Sequence, residues 1–258
     1  MRHLLIALLF TSIATTTFAG VRLEDLSWID AGKVLTPECV VVIPLGAAAK
    51  EHGPHLKLNN DFRIAEYLKR RVGDTADVVI APTVSYGFYP AFLEYPGSTS
   101  LRLETMRDMI ADICRSLAHY GPRRFYVINT GISTVRALKP AAEMLAREGI
   151  VLRYTDLKTI LDPVEKRIGK QEGGSHADEI ETSMMLYIAP ESVDMRKAVK
   201  DYHPAEGPLT RNPSGPGAYS KSGVYGGATL ATRAKGKIAV EALVAGILGE
   251  IEQLRREH

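Results

Sequence analysis

The apolar residues of this chain come in short runs, several of them β-branched, separated by amphipathic stretches, and that alternation restricts the fold more than any other feature. Val40, Val41, Val42 and Ile43 form a run that stops at Pro44, and Val78, Val79 and Ile80 form another that stops before Pro82. Phe125 to Ile128 and Ile150 to Tyr154 supply two more. Continuous apolar runs of this length read as strands buried on both faces. Between them, Ile64, Ala65, Leu68 and Val72 recur at helical spacing, as do Met106, Met109, Ile110, Ile113 and Leu117. Asp61 reads as the N-cap of the first of these helices. Gly121 ends the second, and Pro140 suits the first turn of a third. Strand alternating with helix predicts an α/β fold with a mostly parallel sheet and helices on both faces. Ligand sites in such folds lie beyond the carboxyl ends of the strands. The segments after Ile43, Ile80 and Ile128 are therefore expected to meet in one cleft.

The N-terminus has a different character. Arg2 and His3 precede an apolar stretch from Leu4 to Ile13, and Thr17-Phe18-Ala19 leads into Gly20. A basic start, a short apolar segment and small residues before a cleavage point read as a signal peptide over residues 1–19. The apolar segment is shorter than the roughly 20 residues that span a bilayer. The mature chain is then periplasmic or secreted, with no membrane contact after cleavage. Residues 20–258 contain no linker and read as a single domain, in which 201–222, rich in Pro, Gly and Ser, forms a long surface loop. A net charge of +2 leaves no electrostatic footprint for nucleic acid or a membrane surface. Cys39 and Cys114 read as free thiols, since a domain of this size needs no staple.

Two segments carry chemistry. The first follows the Val40 strand and holds Lys50, Glu51, His52, His55 and Asp61. Imidazole and carboxylate in one loop are the donor types for zinc or manganese. A bland reading makes His52 a hydrogen-bonded loop histidine and Asp61 only a helix cap. The second runs from Gly173 to Ser183. Ser175 with Asp178 reads as a capping box that puts His176 at the first helical position, with Glu179 on the same side. That pair suits proton transfer, although a solvated first turn explains it equally well. The chain has neither a Gly-rich nucleotide loop nor a Gly-x-Ser-x-Gly elbow, so dinucleotide and serine-hydrolase chemistry are disfavoured.

Taken together these motifs resemble the creatininase family. Ile43-Pro-Leu-Gly46, His52-Gly-Pro-His-Leu56 and Asp61 are similar to its opening signature. Tyr95-Pro-Gly-Ser-Thr-Ser-Leu101 resembles a second segment, and His176-Ala-x-Glu179-x-Glu-Thr-Ser183 a third. Ser222-Gly-Val224, Ala231-Thr232 and Lys235-Gly236 are like its C-terminal region. The resemblance implies a three-layer α/β/α sandwich, often a homo-oligomer, that hydrolyses C–N bonds of small amides, cyclic ones included. It implies two divalent metals bridged by an aspartate, a position that Asp61 matches. His52 matches a ligand of one metal, and His176 matches a residue that handles protons near the substrate.

The same resemblance exposes departures. A family glutamate two residues before the first histidine falls at Lys50, with Glu51 beside it as a substitute carboxylate. The family's Asn-Gly-His becomes Asn129-Thr130-Gly131, and a further glutamate ligand, that of creatininase itself, falls at Ser133. One metal position thus keeps only Asp61, and the other keeps His52 and Asp61. A lysine ammonium is a compact point charge, so Lys50 is expected to stand in for one metal, leaving one divalent ion or none. The reading is a hydrolase with His52, Asp61 and Glu51 around a zinc or manganese ion, His176, Glu179 and Lys50 as catalytic groups, and His55, Glu181 and Ser133 near a small-molecule substrate. The alternative is a binding protein on the same scaffold without turnover. Creatinine itself is not the expected substrate, because Glu172 to Ser175 lacks the aromatic and aspartate residues that contact it.

Overall fold

In the computed structural model, which describes residues 20–257, the apolar runs become one parallel sheet. The expected leader, residues 1–19, lies outside the described residues. The strands are β1 (Val21–Arg22), β2 (Val40–Leu45), β3 (Val79–Ile80), β4 (Arg124–Asn129) and β5 (Val151–Tyr154), in the order β1-β3-β2-β4-β5. Val41 pairs with Val79 on one side of β2 and with Phe125 on the other. The chain steps outward from β2 to β3, then returns across it to β4. That reversal makes the carboxyl end of β2 a topological switch point, where open parallel sheets hold their ligands.

Every residue of β2 is buried, because both faces are covered. Val40, Val42, Tyr126 and Ile128 share one core with α2 (Asn60–Gly73), α6 (Glu179–Ile188) and α7 (Arg233–Arg256), through Leu68, Met184 and Leu243. Val41, Ile43, Leu45, Phe125 and Val127 share the other with α3 (Leu103–Ala118) and α4 (Val135–Ala146), through Ile110, Leu138 and Leu145. Alternate strand residues thus feed opposite layers, and each large side chain so buried stabilises the fold by roughly 1.5–3 kcal/mol. The result is an α/β/α sandwich. Two further helices, α1 (Trp28–Val34) and α5 (Leu157–Ile168), complete the set of α-helices among the described residues. None of these helices is long and apolar enough to cross a membrane. Cys39 and Cys114 are both free.

Local expectations fail where packing or a stronger polar partner overrides propensity. Asp61 is not the cap of α2. Asn59 holds that position, and the Asp61 carboxylate is drawn into the cleft by Lys50 and His52. His176 is not helical: Asp178 caps α6 by accepting from the Ile180 and Glu181 amides, so the helix begins at Glu179. Pro140 sits inside α4 rather than in its first turn. It forgoes one backbone hydrogen bond, while Ala137, Leu138, Ala141 and Leu145 keep the helix pinned to the core. The loop 201–222 carries two short strands, Leu209–Thr210 and Ala218–Tyr219, paired with each other.

Two glycines of α7 have opposite physical roles. A Cβ at Gly236 would overlap the Ser183 carbonyl of α6, whereas one at Gly249 would meet nothing. Gly236→Ala should cost about 1–3 kcal/mol through overpacking. Gly249→Ala should gain about 0.5–1 kcal/mol through helix propensity. Urea unfolding of both variants checks the opposite signs.

Candidate active site

The loop from Gly46 to the start of α2 is held rigid by its backbone. Ala48 donates to Ser85, Lys50 to Leu58, and Thr99 donates back to Ala49, at 2.9, 3.0 and 2.9 Å. Gly46 permits a close approach, since a Cβ there would overlap the Asp61 carbonyl. These bonds bring Lys50 and His52 of the loop against Asp61 in the first turn of α2. Lys50 Nζ lies 2.7 Å from Asp61 Oδ2, a charge contact rather than an aligned hydrogen bond. His52 Nε2 lies 2.8 Å from Asp61 Oδ1. Burial resists ionisation of Asp61, yet the Lys50 ammonium and His52 beside it hold its carboxyl below the usual range.

The two histidines at the centre have defined tautomers. His52 Nδ1 sits 2.9 Å from the Lys50 carbonyl oxygen, a contact only an N–H makes favourable. Its Nε2 therefore faces Asp61 Oδ1 and, at 3.4 Å, Glu181 Oε1. A bare lone pair facing two carboxylates is repulsive, so Nε2 requires a proton or a cation. Burial lowers the His52 pKa, but Asp61 and Glu181 outweigh it and raise it to about 9. His176 Nε2 donates to the Glu51 carbonyl at 2.9 Å and lies 3.1 Å from Glu51 Oε2. That leaves Nδ1 as the lone pair, 3.8 Å from Glu181 Oε2. The Glu51 carboxylate also accepts from the Gly53 amide.

His176 is aimed by an unusual backbone. It pairs with Tyr225 in an antiparallel bridge, and Ala177 follows at φ +46°, the sole non-glycine with positive φ among the described residues. Strain of this kind persists where surroundings enforce it. Here the Ala177 amide donates to Glu181 Oε2 at 2.7 Å, and Asn60 donates to Glu181 Oε1 at 3.0 Å. Both carboxylate oxygens of Glu181 are thus fixed.

A cavity of about 660 Å³ opens over this cluster. Lys50, Ser133, His176 and Glu181 line it, with Phe92 and Arg136. Glu51, His52 and Asp61 stand behind that wall, buried against it. His55 is further back: it contacts Thr182 Oγ1 at 2.7 Å, and burial depresses its pKa to about 4. Ser133 donates to the Phe88 carbonyl at 2.8 Å. Glu179, expected beside His176, turns away. Its carboxylate accepts from the Lys170 and Gln171 amides at 2.8 and 2.6 Å and pairs with Lys235, tying α6 to α7.

Sequence reasoning missed Tyr89 and Phe92. Lys50 Nζ lies 5.3 and 4.9 Å from their ring centroids, and Phe92 also packs against the His176 ring, centroids 4.4 Å apart. Their signal was the aromatic density of residues 85–100 at the carboxyl end of β3. For a metal, His52, His176 and Glu181 each offer one ligand atom, all within 4.8 Å of one another. This donor set suits one divalent ion. The other oxygen of Asp61 does not, because an ammonium already faces it.

A buried ion pair is costly to break from one side. Asp61→Asn should destabilise the protein by about 3–5 kcal/mol. Adding Lys50→Met should recover part of that loss, since the stranded ammonium is then gone. A double-mutant cycle in urea reads both effects.

Comparison with known proteins agrees with the fold and the motifs. The sequence profile of the creatininase family, described as creatinine amidohydrolase, matches residues 24–251. Creatinine amidohydrolase of Pseudomonas putida is 29% identical over 256 residues, covering 91% of this chain and 97% of that protein. The mycofactocin precursor peptide peptidase of Mycobacterium ulcerans (strain Agy99) is 31% identical over 208 residues, covering 76% and 78%. A crystal structure of creatinine amidohydrolase superposes with a TM-score of 0.78 at 26% identity, covering 93% of this chain and 99% of that one. Solved forms of creatininase include a mutant of Zn-Zn type (TM-score 0.77, 26% identity, covering 92% of this chain and 99% of that one) and an Mn form (0.75, 26%, covering 92% and 100%). A profile matching nearly the whole described chain, on the same fold, makes this protein a member of the creatininase family of hydrolases.

Proposed function

We propose that the protein hydrolyses the C–N bond of an amide bound in the cavity above Lys50, His176 and Glu181. The observation that carries this reading is the His176–Glu51 contact. A base whose far nitrogen is held by a carboxylate, with its near lone pair facing a cavity, is the arrangement that activates a nucleophile. His176 Nδ1 takes a proton from the attacking water and returns it to the leaving nitrogen. Glu181, fixed by Asn60 and Ala177, orients that water. Lys50 faces the carbonyl oxygen as negative charge develops on it. Phe92 and Ile132 add apolar wall to the cavity beside these groups. A divalent ion held by His52 and Glu181 would supply Lewis-acid polarisation.

The relatives named above act on creatinine and on a precursor peptide, which supports an amide substrate of either cyclic or peptide-like form. A cavity of about 660 Å³ leaves room for more than a bare five-membered ring. The binding-only alternative draws on the expected ligands missing at positions 50, 131 and 133, and it is not favoured, since the cavity keeps His176, Glu181 and Lys50 on its wall. Export to the periplasm or beyond, on the leader over residues 1–19, and assembly into a homo-oligomer belong to the same proposal.

A panel of cyclic amides, formamides and short peptides, assayed with and without zinc or manganese, tests the reading. His176→Gln should lower kcat on any turned-over substrate by about 10²–10⁴-fold. Unchanged turnover in a folded His176→Gln protein would remove the histidine from the mechanism.

A further inference from the structure

The Zn-Zn form of the related enzyme holds two ions, and the cleft of this chain has room for the chemistry of only one. Asp61 has two oxygens. Oδ1 faces His52 Nε2 at 2.8 Å and Oδ2 faces Lys50 Nζ at 2.7 Å. A zinc ion would lie roughly 2.0–2.2 Å from a carboxylate oxygen, so an ion on Oδ2 would stand against a fixed positive charge. Lys50 cannot swing clear of it easily. Its side chain is 6% exposed, its carbonyl is tied to His52 and its amide to Leu58. The aromatic faces of Tyr89 and Phe92 close around the ammonium, favouring a monocation.

The opposite approach is closed as well. A Cβ at Gly131 would meet Tyr89 Cε1 and Thr134 Oγ1, each at 3.1 Å. The Tyr89 ring therefore crowds the start of any side chain at position 131. Tyr89 is 1% exposed and its hydroxyl has no hydrogen-bond partner among the described residues. Lys50, Tyr89 and Gly131 come from the loops after β2, β3 and β4, and they fit one another as a set. The ammonium faces Asp61, aromatic rings pack against it, and position 131 adds no side chain to crowd the ring.

We propose that the Lys50 ammonium, clamped by Tyr89 and Phe92, permanently occupies the second cation position beside Asp61, so that each chain takes up no more than one divalent ion. This rests on the site assignment above, but it is tested without substrate. The purified, untagged protein is stripped with a chelator, dialysed against zinc or manganese, and its ions counted per chain by mass spectrometry. No more than one equivalent is expected for the natural sequence, and one additional equivalent for Lys50→Glu, which exchanges the resident cation for a donor. Two equivalents in the natural sequence would overturn the proposal, as would a folded Lys50→Glu protein with no added uptake. If Lys50→Glu does not fold, the count on the natural sequence decides. Failure of the hydrolase reading would appear in the substrate panel and leave the ion count unchanged.

Discussion

The carboxylate of Asp61 is fully buried, and the cleft is arranged around the need to compensate it. An ionised carboxylate away from water is stable only when paired and hydrogen-bonded. Lys50 supplies the charge on one oxygen and His52 the contact on the other. Those two demands fix the loop after β2, which in turn sets Glu51 under His176. Glu181 closes the circuit, reaching His52 from α6 while its second oxygen takes the strained Ala177 amide. His176 is thus oriented by a chain of contacts that begins at one buried charge.

The sheet topology explains why this charge sits where it does. β2 is central, and the connection from β3 to β4 crosses it. Loops from the three strands converge on its carboxyl end, bringing residues 50, 89 and 131 within reach of one another. Neither neighbour of Lys50 in the cleft is its neighbour in sequence. Changes at these positions are coupled through Tyr89, whose ring packs against the Lys50 ammonium on one side and leaves little room for a side chain at 131 on the other.

The strands and most helices were legible, because runs such as Val40 to Ile43 are buried on both faces and leave no ambiguity of period. The His52, Asp61 and His176 cluster was legible as a set of residue types. Its geometry was not. Ser175 offered a capping signal, but Asp178 holds the cap, so the helix starts later and Glu179 turns towards Lys235 instead of the cleft. Asp61 looked like a cap from its local sequence, whereas the family resemblance already put Lys50 beside it, and that 2.7 Å charge contact outweighs the capping preference. Tyr89 and Phe92 lay in a segment whose aromatic content was visible but whose target was not, since only the fold brings it over Lys50.

The central claim is that a protein-borne ammonium, and not a second metal ion, neutralises the outer oxygen of Asp61. A crystal structure grown in zinc, with anomalous difference maps at the zinc edge, tests it at the atomic position in question. The account predicts at most one anomalous peak, near His52 and Glu181, with Lys50 Nζ still in contact with Asp61 Oδ2. Two peaks flanking the Asp61 carboxylate, with Lys50 displaced, would contradict it.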